Sequence, residues 1–454
     1  MIRNDRASHP SRSLLATALL SAGLALASGC AAAQTATEVE LARKLDRLAA
    51  ELAEVKAQLS ALQQQRQTTA GAPAPAGGTA ATTSTAQAAA PVVAAAPVPA
   101  ERGGLLGPNT ILTSYGEINL NRPTHRKQDA QADIRRFVLG YEHRFDEKTK
   151  VVTELEVEHA VSSASDPGEV EVEQAYIEHQ FNETWSARAG LFLIPAGLLN
   201  EHHEPTSFYG VERNFVETAI IPSTWREGGI QVVGAFENGV TVQAGLSTGF
   251  NLGKWDAAST EGRDSPLGSI HQEMAQAKAG DLALFGAVNW RGVPGLLVGA
   301  SVFSGQAGQG QTAVKGRVTL WDLHARWTPG AWDLSTVYTR GTISNTAALN
   351  ATLIGNPTLI PRVFDGFYVQ AAYKLWTSGD YALAPFVRWE QFNTAKAYAD
   401  LGQGLTPDAT RNEQVWTFGA NFQLTPNVVL KADYQRFREA TDQNRVNLGL
   451  GWNF

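Results

Sequence analysis

The chain is short of cysteine, of charge and of long apolar runs. Among its 454 residues there is one cysteine, Cys30, so no internal disulfide can form and a disulfide-built scaffold is excluded. Charged residues make up 18%, well below the roughly 25% of soluble globular proteins. No basic block occurs and the formal net charge is -7, which argues against the basic face of a nucleic-acid binder. The longest apolar run, residues 14–26, is shorter than the about 20 residues a spanning helix requires. Any membrane contact further along must therefore be made by strands.

The beginning of the chain has the layout of an export signal. Arg3, Arg6 and Arg12 precede the apolar run, and the small residues Ala31, Ala32 and Ala33 follow it, which predicts a leader over residues 1–33 cleaved after Ala33. A second reading takes Leu26-Ala27-Ser28-Gly29-Cys30 as lipobox-like, with Cys30 carrying lipid, although Ala27 stands three residues before the cysteine where leucine is usual. Both readings export the chain to a compartment where free thiols are disfavoured.

Residues 34–66 carry a heptad seam. Leu41, Leu45, Leu48, Leu52, Val55, Leu59 and Leu62 alternate steps of four and three, with charged residues on the other faces. Nothing nearby offers a packing partner, so the seam predicts self-association, and three strands fit. Residues 67–110 are dominated by Ala, Thr, Pro, Gly, Val and Gln without periodicity and form a flexible linker.

From residue 111 to the end one pattern repeats. Val446, Leu448, Leu450, Trp452 and Phe454 alternate with Arg445, Asn447, Gly449, Gly451 and Asn453; Phe137, Leu139 and Tyr141 alternate with Arg136, Gly140 and Glu142. A single such match arises by chance, but the beat returns at residues 185–193, 240–250, 282–290, 319–327, 367–375, 416–424 and 428–434. About sixteen strands result, joined alternately by tight turns and by long connections at residues 194–226, 251–280, 341–361 and 394–411. Aromatic residues stand near strand ends, among them Trp185, Trp290, Trp327, Trp332 and Trp376. Short turns, long loops, an apolar face, a polar face and aromatic girdles together predict an all-β chain: an antiparallel transmembrane β-barrel over residues 111–454, closed so that no backbone group is unpaired in lipid.

Several segments then resemble a known family. Tyr115-Gly116-Glu117-Ile118-Asn119-Leu120-Asn121, Glu173-Gln174-Ala175-Tyr176-Ile177-Glu178 and Arg188-Ala189-Gly190-Leu191-Phe192-Leu193-Ile194-Pro195 are similar to segments of the phosphate-selective porin O and P family. So are Asn200-Glu201-His202-His203-Glu204-Pro205, Ile221-Pro222-Ser223-Thr224-Trp225-Arg226, Pro385-Phe386-Val387-Arg388-Trp389-Glu390, Leu430-Lys431-Ala432-Asp433-Tyr434 and the terminal Phe454. The resemblance implies a sixteen-stranded homotrimeric channel in the outer membrane of a Gram-negative bacterium, with the coil in the periplasm. It further implies a loop at 194–226 folded into the barrel, and Phe454 as the signal read by barrel-assembly machinery. Partners would be outer-membrane lipid and small hydrophilic solutes or anions, phosphate among them.

Charge qualifies that expectation. From residue 111 onward 28 Lys and Arg stand against 37 Asp and Glu, a net of -9. Positions assigned to the lumen by parity are near balance, with Lys374 counted among the bases, so a general diffusion pore with a mild bias is expected rather than a dedicated anion channel. The expected constriction comprises Arg136, Arg188, Arg388, Glu390, Lys431 and Asp433 on the wall with Glu201, His202, His203, Glu204, Glu212, Arg213 and Arg226 on the loop. Loop acids are expected to oppose wall bases across it. No cofactor is implied. Gly245-Leu246-Ser247-Thr248-Gly249 matches a nucleophile-elbow string but lies in an alternating strand, with Phe250 counted on its apolar face, so Ser247 is a lumen hydroxyl. The adjacent histidines of Glu201-His202-His203-Glu204 diverge in an extended segment and lack the i, i+4 spacing of a helical metal site. A barrel hydrolase, or an envelope tether whose coil is the working part, are the alternatives.

Overall fold

The computed structural model describes residues 107–454, save 164 and 403. The leader, the Leu41 to Leu62 seam and the linker up to residue 106 lie outside the described residues.

Sixteen antiparallel strands follow one another around a closed sheet. They are β1 Thr110–Pro123, β2 Gln131–Arg144, β3 Thr149–Glu158, β4 Glu169–Gln180, β5 Trp185–Leu193, β6 Arg226–Ala235, β7 Val240–Thr248 and β8 Leu282–Trp290. The circuit continues with β9 Leu296–Gln306, β10 Arg317–Trp327, β11 Trp332–Ile343, β12 Val363–Tyr373, β13 Tyr381–Ala397, β14 Glu413–Thr425, β15 Val428–Phe437 and β16 Arg445–Asn453. A short extension, Trp376–Ser378, prolongs β12 into its turn. Closure is made by β16 on β1, in register from Tyr115 opposite Asn453 to Pro123 opposite Arg445.

The usual arrangement of a protein interior is inverted. Leu284, Ile230, Val302, Phe418 and Leu448 are among the apolar side chains exposed on the outer face, whereas Glu117, Arg136, Glu156, Arg388, Glu390 and Asp433 are buried inside. Alternation produces this because successive strand residues point to opposite faces. Outside is lipid, where apolar exposure costs nothing; inside, polar groups satisfy one another. Around the short-turn rim Phe145, Trp185, Trp290, Trp327, Trp332 and Trp376 stand exposed, as an interfacial girdle requires.

The inner face is not uniformly polar. On β8 to β12 the inward positions Phe285, Phe303, Leu320, Ile343 and Phe364 are buried with Trp225, Phe250, Leu267 and Ile270 from the long loops in one apolar cluster. Phe250 is therefore not on the outer face: β7 ends at Thr248 and the chain turns inward, placing the Phe250 ring 5.1 Å from Trp225 and 5.3 Å from Phe303. Lys374 does not line the lumen either; it is exposed in the short turn after β12, where its N–H bonds the Ala331 carbonyl. Loops fill the half of the barrel bounded by β8 to β12. Most buried charges line the rest of the wall, with Asp322 on β10 and Asp365 on β12 on this side.

Candidate functional site

The connection between β5 and β6 contacts the inner wall at many points. Gly197 N–H donates to Asp322 on β10 at 3.1 Å, Phe215 N–H to Glu390 on β13 at 2.6 Å and Val211 N–H to Asp433 on β15 at 2.6 Å. In the other direction Lys431 donates to the Phe208 carbonyl at 3.0 Å while lying 3.5 Å from the Phe208 ring centroid, and Arg388 donates to the Tyr209 carbonyl at 3.2 Å. Gly210 lies between these contacts with φ +90°, a left-handed conformation that glycine adopts without strain. At β12, Gly366 leaves room for Val216 and Ile220 of the loop's short helical turn, Val216–Ile220.

Wall charges thus hold the loop by its backbone, and the loop acids expected to oppose wall bases bond mainly neutral donors. Arg388 is 2% exposed and its Nε is 3.1 Å from Glu390. Arg188 pairs with Glu178 at 2.9 Å and lies over the Tyr176 ring. Glu201 accepts from Gln243 at 3.2 Å, and Glu217 accepts from Leu198 and Leu199 N–H and from Tyr368. Glu212 accepts from Asn121 at 2.8 Å and Asn119 at 3.3 Å. Burial opposes its ionisation, but Arg135, Asn121 and Arg445 hold its carboxyl below the ordinary range. None of these loop acids meets Arg188, Arg388 or Lys431 within ion-pair distance among the described residues.

The four residues from Glu201 to Glu204 disperse, for the reason the extended spacing gave. His203 is buried, with Nε2 2.7 Å from both Glu173 and the Tyr115 hydroxyl and Nδ1 2.9 Å from the Asn200 carbonyl. Burial opposes a charge on His203, but Glu173 outweighs it and raises the imidazole pKa. Glu204 accepts only from Ser207, and His202 is half-buried with no side-chain hydrogen bond among the described residues.

Two bulges bring in charges that strict alternation sends outward. In β2, Glu117 faces Arg136 while Ile118 faces Ile134, so Arg135 is the extra residue and joins Arg136 on the inner side. In β4, Glu154 faces Gln174 while Leu155 faces Val172, which turns Glu173 inward to His203. The signal in the sequence is the break in period at Arg135-Arg136 and at Glu173-Gln174.

Between the loop and the wall from β16 through β4 lies a cavity of about 570 Å³. Arg136 sits beside it, paired with Glu117 at 3.0 Å, Glu156 at 3.1 Å and Glu158 at 3.6 Å. Arg226 pairs with Glu171 and, at 3.1 Å, with Glu273. Arg213 donates to Ser223, Thr224 and the His203 carbonyl and has no carboxylate within ion-pair distance among the described residues. A second cavity of about 500 Å³ shares Thr218, Ser223 and His271 with the first and is lined by Ser259, Thr260 and Ser265. The site is a charge-lined cavity beside the loop; Ser247 spends its hydroxyl on the Thr248 carbonyl.

Comparison with known proteins gives the same picture. Residues 304–449 match the model of a family described as "Phosphate-selective porin O and P". An uncharacterised protein of Aquifex aeolicus (strain VF5) is 28% identical over 354 residues, covering 76% of this chain and 79% of that one. Among solved structures, Salmonella typhi OmpF in complex with daunomycin is similar with a TM-score of 0.52 at 13% identity, covering 76% of this chain and 98% of that one. The anion-selective porin from Comamonas acidovorans gives 0.47 at 11% identity, over 76% and 100%.

Proposed function

We propose, from the premise that this chain is an outer-membrane porin, that it lets small hydrophilic solutes and ions diffuse passively past the β5–β6 loop, with no strong selection of sign. The observation that carries this reading is the mixed lining of the passage: Arg136, Arg188, Arg226 and Arg388 are paired with carboxylates and Lys431 is spent on a loop carbonyl, while the cavity bases Arg135, Arg213 and Arg445, without an ion pair among the described residues, share their lining with the carboxylates of Glu158, Glu169 and Glu212. Arg136, Arg188, Arg226, Arg388 and Lys431 neutralise carboxylates or fix the loop, while Glu201, Glu212, Arg213, Glu390 and Asp433 shape the opening around it. Phosphate and other anions pass as small solutes among others. Fixed charges near a narrow opening set the sign of permeant ions. Reversal potentials across a planar bilayer in a salt gradient, with and without phosphate, test this: a value near zero is expected. Strong anion selectivity with phosphate block would overturn it. Arg213→Ala should move the potential toward cations. Liposomes that stay tight to sugars and salts would favour the tether instead.

The working form on this reading is a homotrimer, with the seam from Leu41 to Leu62 associating in the periplasm. Three heptads are short for an isolated coil, so barrel contacts contribute most of the assembly. Light scattering of a chain beginning after Gly103 should still report trimers, whereas the isolated coil should associate only at high concentration. A coil that remains monomeric at every concentration would remove its part in assembly.

A further inference from the structure

The larger cavity is polarised along the wall, and that polarity points to a class of solute. On β3 and β4 the inward residues place like charges directly opposite one another: Glu156 faces Glu171 and Glu158 faces Glu169. Such pairs are destabilising in a sheet. Arg136 and Arg226 offset them from the two flanks, but Glu169 has no cation within ion-pair distance among the described residues. This end of the cavity therefore has an excess of carboxylate.

Two strands away the sign reverses. Arg135, brought inward by the β2 bulge, and Arg445 on β16 flank β1, and neither has a carboxylate within ion-pair distance among the described residues. The carboxylate of Glu212 lies near both, held by the Asn119 and Asn121 amides. The Glu212 carboxylate lines the same cavity as both guanidinium groups without pairing with either. Two arginines against one glutamate leave a unit of positive charge. Arg213, 7% exposed, is not part of this pair: it is held on the loop by Ser223, Thr224 and the His203 carbonyl. Thr218, Ser223 and Thr224 place hydroxyls between the two ends.

We infer that this cavity is a binding station for zwitterionic solutes, with an ammonium held at Glu158 and Glu169 and a carboxylate held at Arg135 and Arg445. The register puts Arg136, Glu158 and Glu169 in one row across β2, β3 and β4. Arg135, next to Arg136 in β2, is one strand from Glu158 and two from Glu169, so with strands about 4.8 Å apart these backbones lie roughly 5–10 Å apart, and Arg445 on β16 stands farther off. Inward-reaching side chains shorten that span, which suits short peptides and ω-amino acids better than α-amino acids, whose charges are adjacent. A solute of one sign satisfies one end and is repelled by the other. The inference rests on the porin reading and adds the solute class.

Liposome swelling at neutral pH tests it, using diglycine as the zwitterion and N-acetylglycinamide as a neutral compound of similar size. The wild-type protein should admit diglycine about two- to fivefold faster, the gain expected from partly solvated ion contacts. Arg135→Gln, and separately Glu158→Gln with Glu169→Gln, should each bring the ratio of the two rates back toward one. Equal wild-type rates overturn the inference while leaving the porin reading intact. A ratio that persists in both variants also overturns it. Liposomes tight to both compounds and to salt would instead sink the porin reading. Should a variant fail to assemble, the wild-type ratio and its collapse in high salt decide the matter, since screening weakens exposed ion contacts.

Discussion

The arginines of this barrel are chemically alike and do different work because their neighbours differ. Arg388 is enclosed, paired with Glu390 and bonded to the Tyr209 carbonyl, so its charge is cancelled locally and its removal would strand a buried carboxylate. Arg213 bonds only neutral oxygens and contributes a net field to the cavity. His203 is the loop residue whose charge is tied directly to a wall carboxylate. Because its pKa is raised in the folded protein, the stabilisation from Glu173 is fully present below the ordinary imidazole value of about 6.5 and is lost as pH rises through the raised value. Heat-modifiable gel mobility should show the wild-type barrel losing stability across that window relative to His203→Gln. Parallel pH profiles for the two proteins would rule out this linkage.

At the scale of elements, the β5–β6 loop is held less by its own sequence than by the strands it touches. Asp433 accepts from Val211 N–H with one oxygen and from the Asn447 amide, at 2.7 Å, with the other. Asp433→Ala removes a charge-assisted hydrogen bond whose loss costs roughly 1–3 kcal/mol. The segment around Gly210 should then leave the wall part of the time. Single-channel recordings are expected to show larger and noisier conductance, and an unaltered current would mean that this contact does not position the loop. On the opposite side, apolar packing of Trp225, Phe250 and Phe303 fixes the loop against its neighbours and leaves the polar side open.

For the whole molecule, closure is the property on which the others depend. The final strand completes the sheet, with Ile118 opposite Leu450 and Leu450 opposite Leu430, all on the outward parity. Phe454 exchanges backbone hydrogen bonds with Ser114, its N–H at 2.8 Å and its carbonyl at 3.0 Å, tying the end of the chain to its first strand. Leu450→Arg puts a guanidinium into lipid and should cost about 2–4 kcal/mol near the midplane. Deleting Phe454 removes the closing hydrogen bonds and the proposed assembly signal. Both changes should lower the yield of folded, heat-modifiable barrel; normal yield from both would contradict the assigned face of β16.

What the sequence determined by itself is what alternation and turn chemistry can encode. The strand spans 185–193 and 282–290, the alternation of short turns with long loops, the outward face of Leu448 and the girdle at Trp185, Trp290 and Trp327 follow from nearest-neighbour patterns, because the period of a strand is local. The inward-facing Arg136, Arg388, Lys431 and Asp433 were legible for the same reason. Tertiary structure alone decided which half of the lumen is filled, since inward Phe303 and Phe364 gain by burial only once the loops bring Trp225 and Ile270 to them. It decided the partners of the loop acids, which depend on residues far apart in sequence, such as Glu212 and Asn121. It also decided the side on which Arg135 emerges: a bulge is set by pairing with a neighbouring strand, and no single strand contains that information.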